Sequence, residues 1–405
     1  MKFHFRCPPL LLISQYTPTN FLRMKLVHIA DTHLGLSAFS RLDPDSGMNL
    51  REKQIYDNFL AAIDWIIQEK PDVLVHAGDL FDTVKPKTRA YTTVLDALTR
   101  LGDAGIPLVI VTGNHSMVKT RYTTSPLAVL SYHPAEIHAA YSFKYEKVEI
   151  GDTVFHLIPN MLRPEDYRTA FNQIELEKGR NNVLVTHGLA TTIKDKRLAT
   201  VAEHELDSTI LSADFDYIAL GHYHNQVQIA ENAWYSGSTE YLTYGEIRDT
   251  KGGLIIDLDK HMVDHLDLPH TPMYDCGTIP CAGRHVTDIT DDIIERVQKK
   301  CPEKFSLVQV TLDGISREHG KGIDVRALAP LREQLLDLKI RVVAEGEESP
   351  VALQQDVRAI DYLTEFGTFV EKKQLSAKQK EFVAQTGRTV LAEVMEQHRE
   401  APDDH

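Results

Sequence analysis

The feature that most restricts how this chain can fold is a series of short apolar runs, each stopping at a histidine, aspartate or asparagine set in a turn. Lys25 to Ala30 leads into Asp31-Thr32-His33, Asp72 to Ala77 into Gly78-Asp79-Leu80-Phe81-Asp82, and Pro107 to Val111 into Gly113-Asn114-His115. Asn182 to Thr186 and Tyr217 to Leu220 repeat the pattern, ending at His187-Gly188 and Gly221-His222-Tyr223-His224. Runs of this length, rich in Val, Ile and Leu and bounded by turn residues, read as buried strands.

Two helical patterns separate the first three runs. Leu50 to Lys70 carries Ile55, Phe59, Ala62, Ile63, Ile66 and Ile67 at helical spacing and stops at Pro71; Thr88 to Leu101 is the second. Strand, helix, strand, helix, strand implies an α/β protein with a parallel βαβ core sheet and helices on its faces. Thr153 to Ile158 is a further strand, and Trp234 to Ser236 and Gly253 to Leu258 close the same domain.

In an open α/β sheet the carboxyl ends of parallel strands converge on one crevice, so residues distant in sequence share a site. A set of Asp, Asn and His without thiolates suits borderline divalent cations such as Mn²⁺, Zn²⁺ or Fe²⁺ better than an all-oxygen Mg²⁺ site. Seven candidate ligands, Asp31, His33, Asp79, Asn114, His187, His222 and His224, are too many for a single ion that must leave room for water and substrate. Two ions about 3.5 to 4 Å apart and bridged by one carboxylate would use them all, activating water and holding a phosphate for in-line attack. His115, directly after a candidate ligand, is placed to protonate a leaving oxygen, because an imidazole titrates near neutral pH. Glycines 78, 113, 188 and 221 let the backbone turn tightly beneath the ions. His28 and His76 precede the motifs inside strands and support the site or pack, while His138, His156 and His204 read as core or surface residues.

With 44 basic against 58 acidic side chains the net charge is -14, which argues against binding nucleic acid by charge alone. Metal cations, local basic patches or a partner protein must then supply the attraction. No apolar run is long enough to span a bilayer, so no membrane association is expected. Four scattered cysteines suit a reducing cytoplasm, and Cys276 and Cys281 lack the second pair a structural zinc site needs. Leu10 to Ile13 is too short for a signal-peptide core, and residues 1–23 read as a disordered extension or as an upstream start ahead of Met24.

At these residues the sequence resembles the calcineurin-like metallophosphoesterase superfamily, whose pattern runs D-x-H, G-D, G-N-H, H and G-H-x-H. Ile29-Ala-Asp-Thr-His-Leu-Gly35, His76-Ala-Gly-Asp-Leu-Phe-Asp82 and Tyr235-Ser-Gly-Ser-Thr-Glu240 resemble the nuclease subunits of the Mre11 and SbcD type. Thr83-Val84 stands where the protein-phosphatase branch has Arg-Gly.

The resemblance implies a metallophosphoesterase β-sandwich flanked by helices over residues 24–270, a small α+β capping domain over 271–346 and a helical tail over 347–405. It implies one ion on Asp31, His33, Asp79 and His224, a second on Asp79, Asn114, His187 and His222, Mn²⁺ preferred with Mg²⁺, Fe²⁺ or Zn²⁺ as substitutes, and His115 assisting cleavage. It further implies 3'-to-5' exonuclease activity with single-strand and hairpin endonuclease activity on DNA, a homodimer, and a Rad50 or SbcC-type ABC ATPase partner in double-strand break repair. Ile360, Leu363, Phe366 and Val370, at helical spacing, are the expected partner-binding stripe, the alternative being that they pack within the chain. Ser116 stands where that family has aspartate, which removes a charge beside His115. A phosphodiesterase for a cyclic nucleotide or nucleotide sugar is the rival reading, disfavoured by the segments after 270; a silent scaffold of the same fold should have lost ligands.

In 271–345 the pattern predicts a helix over Ile289 to Lys299, a strand over Phe305 to Leu312, a helix over Arg326 to Leu338 and a strand over Lys339 to Ala344. The tail reads as two helices, Gln354 to Lys372 and Ser376 to Gln397.

Overall fold

The computed structural model describes residues 24–117, 124–190, 205–206, 214–315, 323, 326–343, 370, 379–380 and 382–387. Its strands are β1 (Lys25–Ile29), β2 (Val73–His76), β3 (Leu108–Val111), β4 (Ile137–Ala140), β5 (Glu146–Ile150), β6 (Thr153–Ile158), β7 (Asn181–His187), β8 (Leu189–Ala190) and β9 (Glu205–Leu206). They continue with β10 (Tyr217–Gly221), β11 (Val227–Ala230), β12 (Ala233–Tyr235), β13 (Gly253–Asp257), β14 (Met262–Leu266), β15 (Met273–Pro280), β16 (Leu307–Asp313) and β17 (Asp337–Val343). The helices are α1 (Leu50–Glu69), α2 (Thr88–Asp103), α3 (Pro164–Phe171), α4 (Val286–Lys300) and α5 (Ala329–Gln334).

The core is two sheets, where the strand pattern alone implied one. One has the order β14-β13-β1-β2-β3-β4 and the other β11-β12-β10-β7-β6-β5. The first is parallel from β1 through β2 and β3 to its edge strand β4, with antiparallel β13 and β14 on the other side; the second is parallel through β6, β7, β10 and β12, with antiparallel β5 and β11 at its edges. Leu26, Val73, Val75 and Val109 of the first sheet meet Phe155, Val183, Val185 and Ala219 of the second in one buried layer. The alternate residues Val27, Ile29, Leu74 and Ile110 face the other way, onto α1 and α2. Strands buried on both faces show no polar alternation, and this is why their sequences read as continuous apolar runs.

Helix α1 starts where Asn49 accepts the backbone N–H of Glu52 at 3.0 Å, and it stops at Lys70, left-handed at φ 51°, just before Pro71. It buries Ile55, Phe59, Ala62, Ile63 and Ile66, the stripe its spacing announced.

Strands β15, β16 and β17 form a separate parallel sheet with its own core, in which Ile289, Ile293 and Val297 of α4 and Leu331 of α5 cover Val308, Val310 and Leu338. The helix expected over Arg326 to Leu338 is shorter: α5 ends at Gln334, Leu335 is extended, and the chain enters β17 at Asp337. Pairing of Asp337 through Val343 with buried β16 overrides helix propensity there. Arg41 fastens this sheet to the loop before α1, donating to the carbonyl of Arg332 at 2.9 Å and to those of Glu333 and Leu335.

The chain divides into compact units over 1–345 and 346–405. In the second, the described residues 379–380 and 382–387 are helical, and Val370 is helical and buried. Ile360, Leu363 and Phe366, like the extension 1–23 and His204, lie outside the described residues. Among the described residues no helix is long and apolar enough to cross a membrane. Cys276 and Cys281 are free thiols buried in the core of the three-stranded sheet.

Candidate metal centre

The carboxyl ends of β1, β2 and β3 from one sheet meet those of β7 and β10 from the other, and all seven candidate ligands lie at this seam. Three groups have ligand atoms within 4.8 Å of one another: Asp31 with His33 and His224, His33 with Asp79 and His115, and Asp31 with Asp79 and His187. Asp79 stands at their centre. Its Oδ2 is 3.3 Å from His187 Nε2 and 3.9 Å from His33 Nε2, while its Oδ1 accepts the backbone N–H of His115 at 2.9 Å. Asn114 Oδ1 lies 2.9 Å from His187 Nε2 and 3.1 Å from His222 Nδ1.

The backbone is bent to make this convergence. Asp31, His33, Asp79 and His222 all have positive φ, at 52°, 44°, 51° and 104°. Such strain in non-glycine residues persists only where surroundings fix it, and it gathers at functional sites. Two glycines are obligatory for space. A Cβ on Gly113 would lie 2.2 Å from Asp79 Oδ1, and one on Gly221 would lie 2.0 Å from the carbonyl oxygen of Ala77. The backbone N–H of Gly188 donates to the carbonyl of Gly221 at 3.2 Å and ties the two motifs of the second sheet together.

Three imidazoles share one arrangement. Nδ1 is engaged, by Asp82 Oδ1 at 3.1 Å in His33, by the carbonyl of Ala77 at 2.9 Å in His187 and by Glu246 Oε1 at 3.1 Å in His224. With Nδ1–H donated, Nε2 is the nitrogen each ring has left to offer a metal ion. The Nε2 atoms of His33 and His222 are buried and have no hydrogen-bond partner among the described residues.

Charge gives the same answer. Asp31 and Asp79 are fully buried, and a buried carboxylate left uncompensated costs about 3 to 5 kcal/mol. Buried Lys251 Nζ, which bonds the carbonyl of His224, is already committed at 2.7 Å to Glu246. The unpartnered His33 Nε2, 3.9 Å from buried Asp79 Oδ2, fits a divalent cation, and closely spaced His/Asp clusters fit a dinuclear site.

In the metal-free protein protons take the place of that charge. Burial pushes the His187 imidazole down, yet Asp79 and Asp31 overrule it and raise its pKa to about 9. Burial also opposes ionisation of Asp79, but His187 and His33 hold its carboxyl far below the usual range. His28, His76 and His222 go the other way, each lowered by burial to about 3.

A raised histidine stabilises fully below its unfolded value of 6.5, and that contribution is lost as pH climbs through about 9. The lowered histidines titrate below this window. The Tm of chelator-treated protein is therefore expected to fall from pH 6.5 to 9, and saturating divalent cation should flatten the slope by replacing the proton. A calorimetric pH series checks this; a Tm that rises over the window in chelator contradicts it.

Sequence reasoning missed the groups that orient these ligands. Asp82 is three residues after Asp79 in a motif already singled out, and its carbonyl accepts from His115 Nδ1 at 2.8 Å. Glu246 and Lys251 carried no motif, and Tyr235 opened the Tyr235 to Glu240 motif without being given a role. Lys251 donates to Glu246, to Ser238 Oγ at 2.8 Å and to the carbonyl of His224 at 3.0 Å, and Tyr235 donates to the carbonyl of Gly188 at 2.7 Å. Ser116 is buried and bonds the carbonyl of Phe81 at 3.3 Å, so the side chain that follows His115 shapes the loop. His28 bonds Tyr217 OH at 2.9 Å and His76 bonds Thr32 Oγ1 at 3.1 Å, one packing between the sheets and the other bracing the first motif. His156 is a buried partner of Tyr145 and Asn182, and His138 sits near Glu136 at the sheet edge.

Comparison with known proteins gives a consistent picture. Residues 24–226 match the family model described as calcineurin-like phosphoesterase. The DNA double-strand break repair protein Mre11 of Methanocaldococcus jannaschii is 31% identical over 60% of this chain and 65% of its own length. Its Methanococcus maripaludis counterpart is 27% identical over 60% of this chain and 67% of its own length. The Mre11 of Saccharolobus solfataricus is 26% identical over 86% of this chain and 92% of its own length. The match thus spans slightly under two thirds of the Methanocaldococcus protein.

Proposed function

Because the chain belongs to the calcineurin-like phosphoesterases, we propose that its metal centre cleaves phosphodiester bonds in DNA, as the nuclease subunit of a double-strand break repair complex. A metal-dependent phosphoesterase related to Mre11-type nucleases is the general case. The reading is more specific: a Mn²⁺-preferring 3'-to-5' exonuclease and endonuclease on single-stranded and hairpin DNA, acting as a homodimer with a Rad50 or SbcC-type ABC ATPase.

The observation that carries the reading is the position of Asp79 between His33 and His187, which makes it the natural bridge. Asp31, His33, Asp79 and His224 are assigned to one ion, and Asp79, Asn114, His187 and His222 to the other. Two bound cations supply Lewis-acid activation of water and neutralise charge on the phosphate. The chain's own residues do the rest. His115 is exposed and donates Nδ1–H to the carbonyl of Asp82, which fixes the ring so that its Nε2, when it carries a proton, would be the atom that passes one to the leaving oxygen. Asp82 and Glu246 hold His33 and His224 in register.

That last role has a measurable consequence. Glu246→Gln should weaken Mn²⁺ affinity by about 10- to 100-fold, the usual effect of losing a carboxylate that orients a ligand histidine. Isothermal titration measures it, and unchanged affinity would show that Glu246 only packs.

Activity is tested by giving purified protein and Mn²⁺ end-labelled single-stranded, hairpin and duplex DNA beside bis-(p-nitrophenyl) phosphate, with and without the ATPase. Cleavage of the small ester with no processing of any DNA would replace this reading with a small-substrate phosphodiesterase.

A further inference from the structure

The loop that follows the first motif carries an aromatic side chain with no part in packing the core. Phe39 is 36% exposed and sits at φ 61°, a left-handed conformation that bulky residues seldom adopt. The loop is built to keep it there. Asn49 Nδ2 donates to the carbonyls of Ala38 and Phe39 at 3.0 and 2.8 Å while its Oδ1 caps α1, so one side chain holds both the helix start and the strained turn. The backbone pairs Asp43 to Met48 and Leu50 to Arg41 close the loop's base at 2.8 and 2.9 Å.

The surroundings of Phe39 are aromatic and cationic. Its ring centroid is 6.2 Å from that of Tyr244, at 73°. Tyr244 lies two residues before Glu246, the carboxylate that holds His224, so this platform flanks the metal centre on the same turn. Exposed Lys339 reaches over the Tyr244 ring at 4.9 Å, and Tyr244 OH is fixed by Asp337 at 2.8 Å. Register pairs Lys339 with Gln309 and Arg341 with Thr311, which puts both cations on the face of the β15-β16-β17 sheet opposite its helices. An exposed ring beside a sheet face that carries Lys339 and Arg341, with Asp337 of the same face bonded to Tyr244 OH, matches a polyanion that has bases to stack.

We propose that Phe39 stacks on an unpaired nucleobase of a DNA strand entering the metal centre, with Lys339 and Arg341 holding the phosphates that follow. This rests on the nuclease reading and narrows its substrate to strands whose bases are free, at frayed ends, hairpin loops or single-stranded tails. A base inside a duplex has both faces covered and gives Phe39 nothing to stack on.

The test separates KM from kcat. Phe39→Ala should raise KM for a single-stranded oligonucleotide by about 10-fold, the scale of losing one base–aromatic stack. Its kcat, and its rate on bis-(p-nitrophenyl) phosphate, should be unchanged. Phe39→Trp should restore KM, and an oligonucleotide abasic at the stacked position should not distinguish Phe39→Ala from the parent. The pair Lys339→Glu and Arg341→Glu should raise KM for DNA and flatten its salt dependence.

Equal loss on DNA and on the small ester would show that Phe39 merely supports the fold. DNA cleavage by Phe39→Ala with unaltered KM would overturn the proposal while leaving the nuclease reading intact. If the parent protein cleaves only the small ester, the nuclease reading fails by itself. Quenching of a single-stranded 2-aminopurine oligonucleotide then decides the matter: loss of quenching in Phe39→Ala supports stacking, and equal quenching ends it.

Discussion

Asp79→Asn is expected to lower phosphodiester turnover by about 10³-fold or more, the scale on which a preorganised charge contributes to such a transition state, and to reduce bound metal from two ions to one or none. Both oxygens of Asp79 are occupied, Oδ2 toward His187 and His33 and Oδ1 by the N–H of His115. An amide keeps the shape and can still accept the His115 N–H, so the fold and the Gly113-Asn114-His115 loop should survive. It removes the negative charge that two cations would share, and it turns the oxygen facing His33 and His187 into an N–H₂ donor. Metal analysis counts the ions retained, and circular dichroism checks that the fold persists. Two ions retained with near-parental turnover would refute the bridging assignment.

His115→Asn is expected to behave differently, with turnover down by about 10²- to 10⁴-fold and both ions still bound. His115 shares a 4.8 Å cluster with His33 and Asp79, so proximity alone does not separate a ligand from a proton donor. Its side chain decides. Nδ1 is bound to the carbonyl of Asp82, with Asp82 Oδ1 3.9 Å away, and the ring is exposed, whereas the rings of His33 and His187 are buried against Asp79. A group at the open rim reaches a leaving oxygen on the substrate. The variant should also lose the acidic role selectively: an ester with a nitrophenolate leaving group, which needs no proton, should suffer much less than DNA. Loss of metal together with activity would make His115 a ligand instead.

Much of this centre was legible in the sequence because its parts are local. Each donor directly follows a strand, and strands reveal themselves by continuous apolar runs, so Asp31, Asp79, Asn114, His187 and His222 were marked by their own neighbours. What was not legible depends on contacts across the fold. The split into two sheets left no mark in the strand pattern, because β1, β2 and β3 look alike with β7 and β10 whether they pair or stack. Glu246 meets His224 from 22 residues away and Lys251 reaches back 27 residues to the His224 carbonyl, distances at which no spacing rule operates. The end of α5 was missed for a related reason: Leu335 and Leu336 fit a helical stripe as well as a strand, and the choice was made by β16.

The seam between the sheets has a consequence for how the protein comes alive. Asp31, His33, Asp79 and Asn114 arrive with one layer, and His187, His222 and His224 with the other. A chain that has assembled only one of the two layers thus holds only part of the candidate ligand set. The complete set comes together only where both layers are formed and packed.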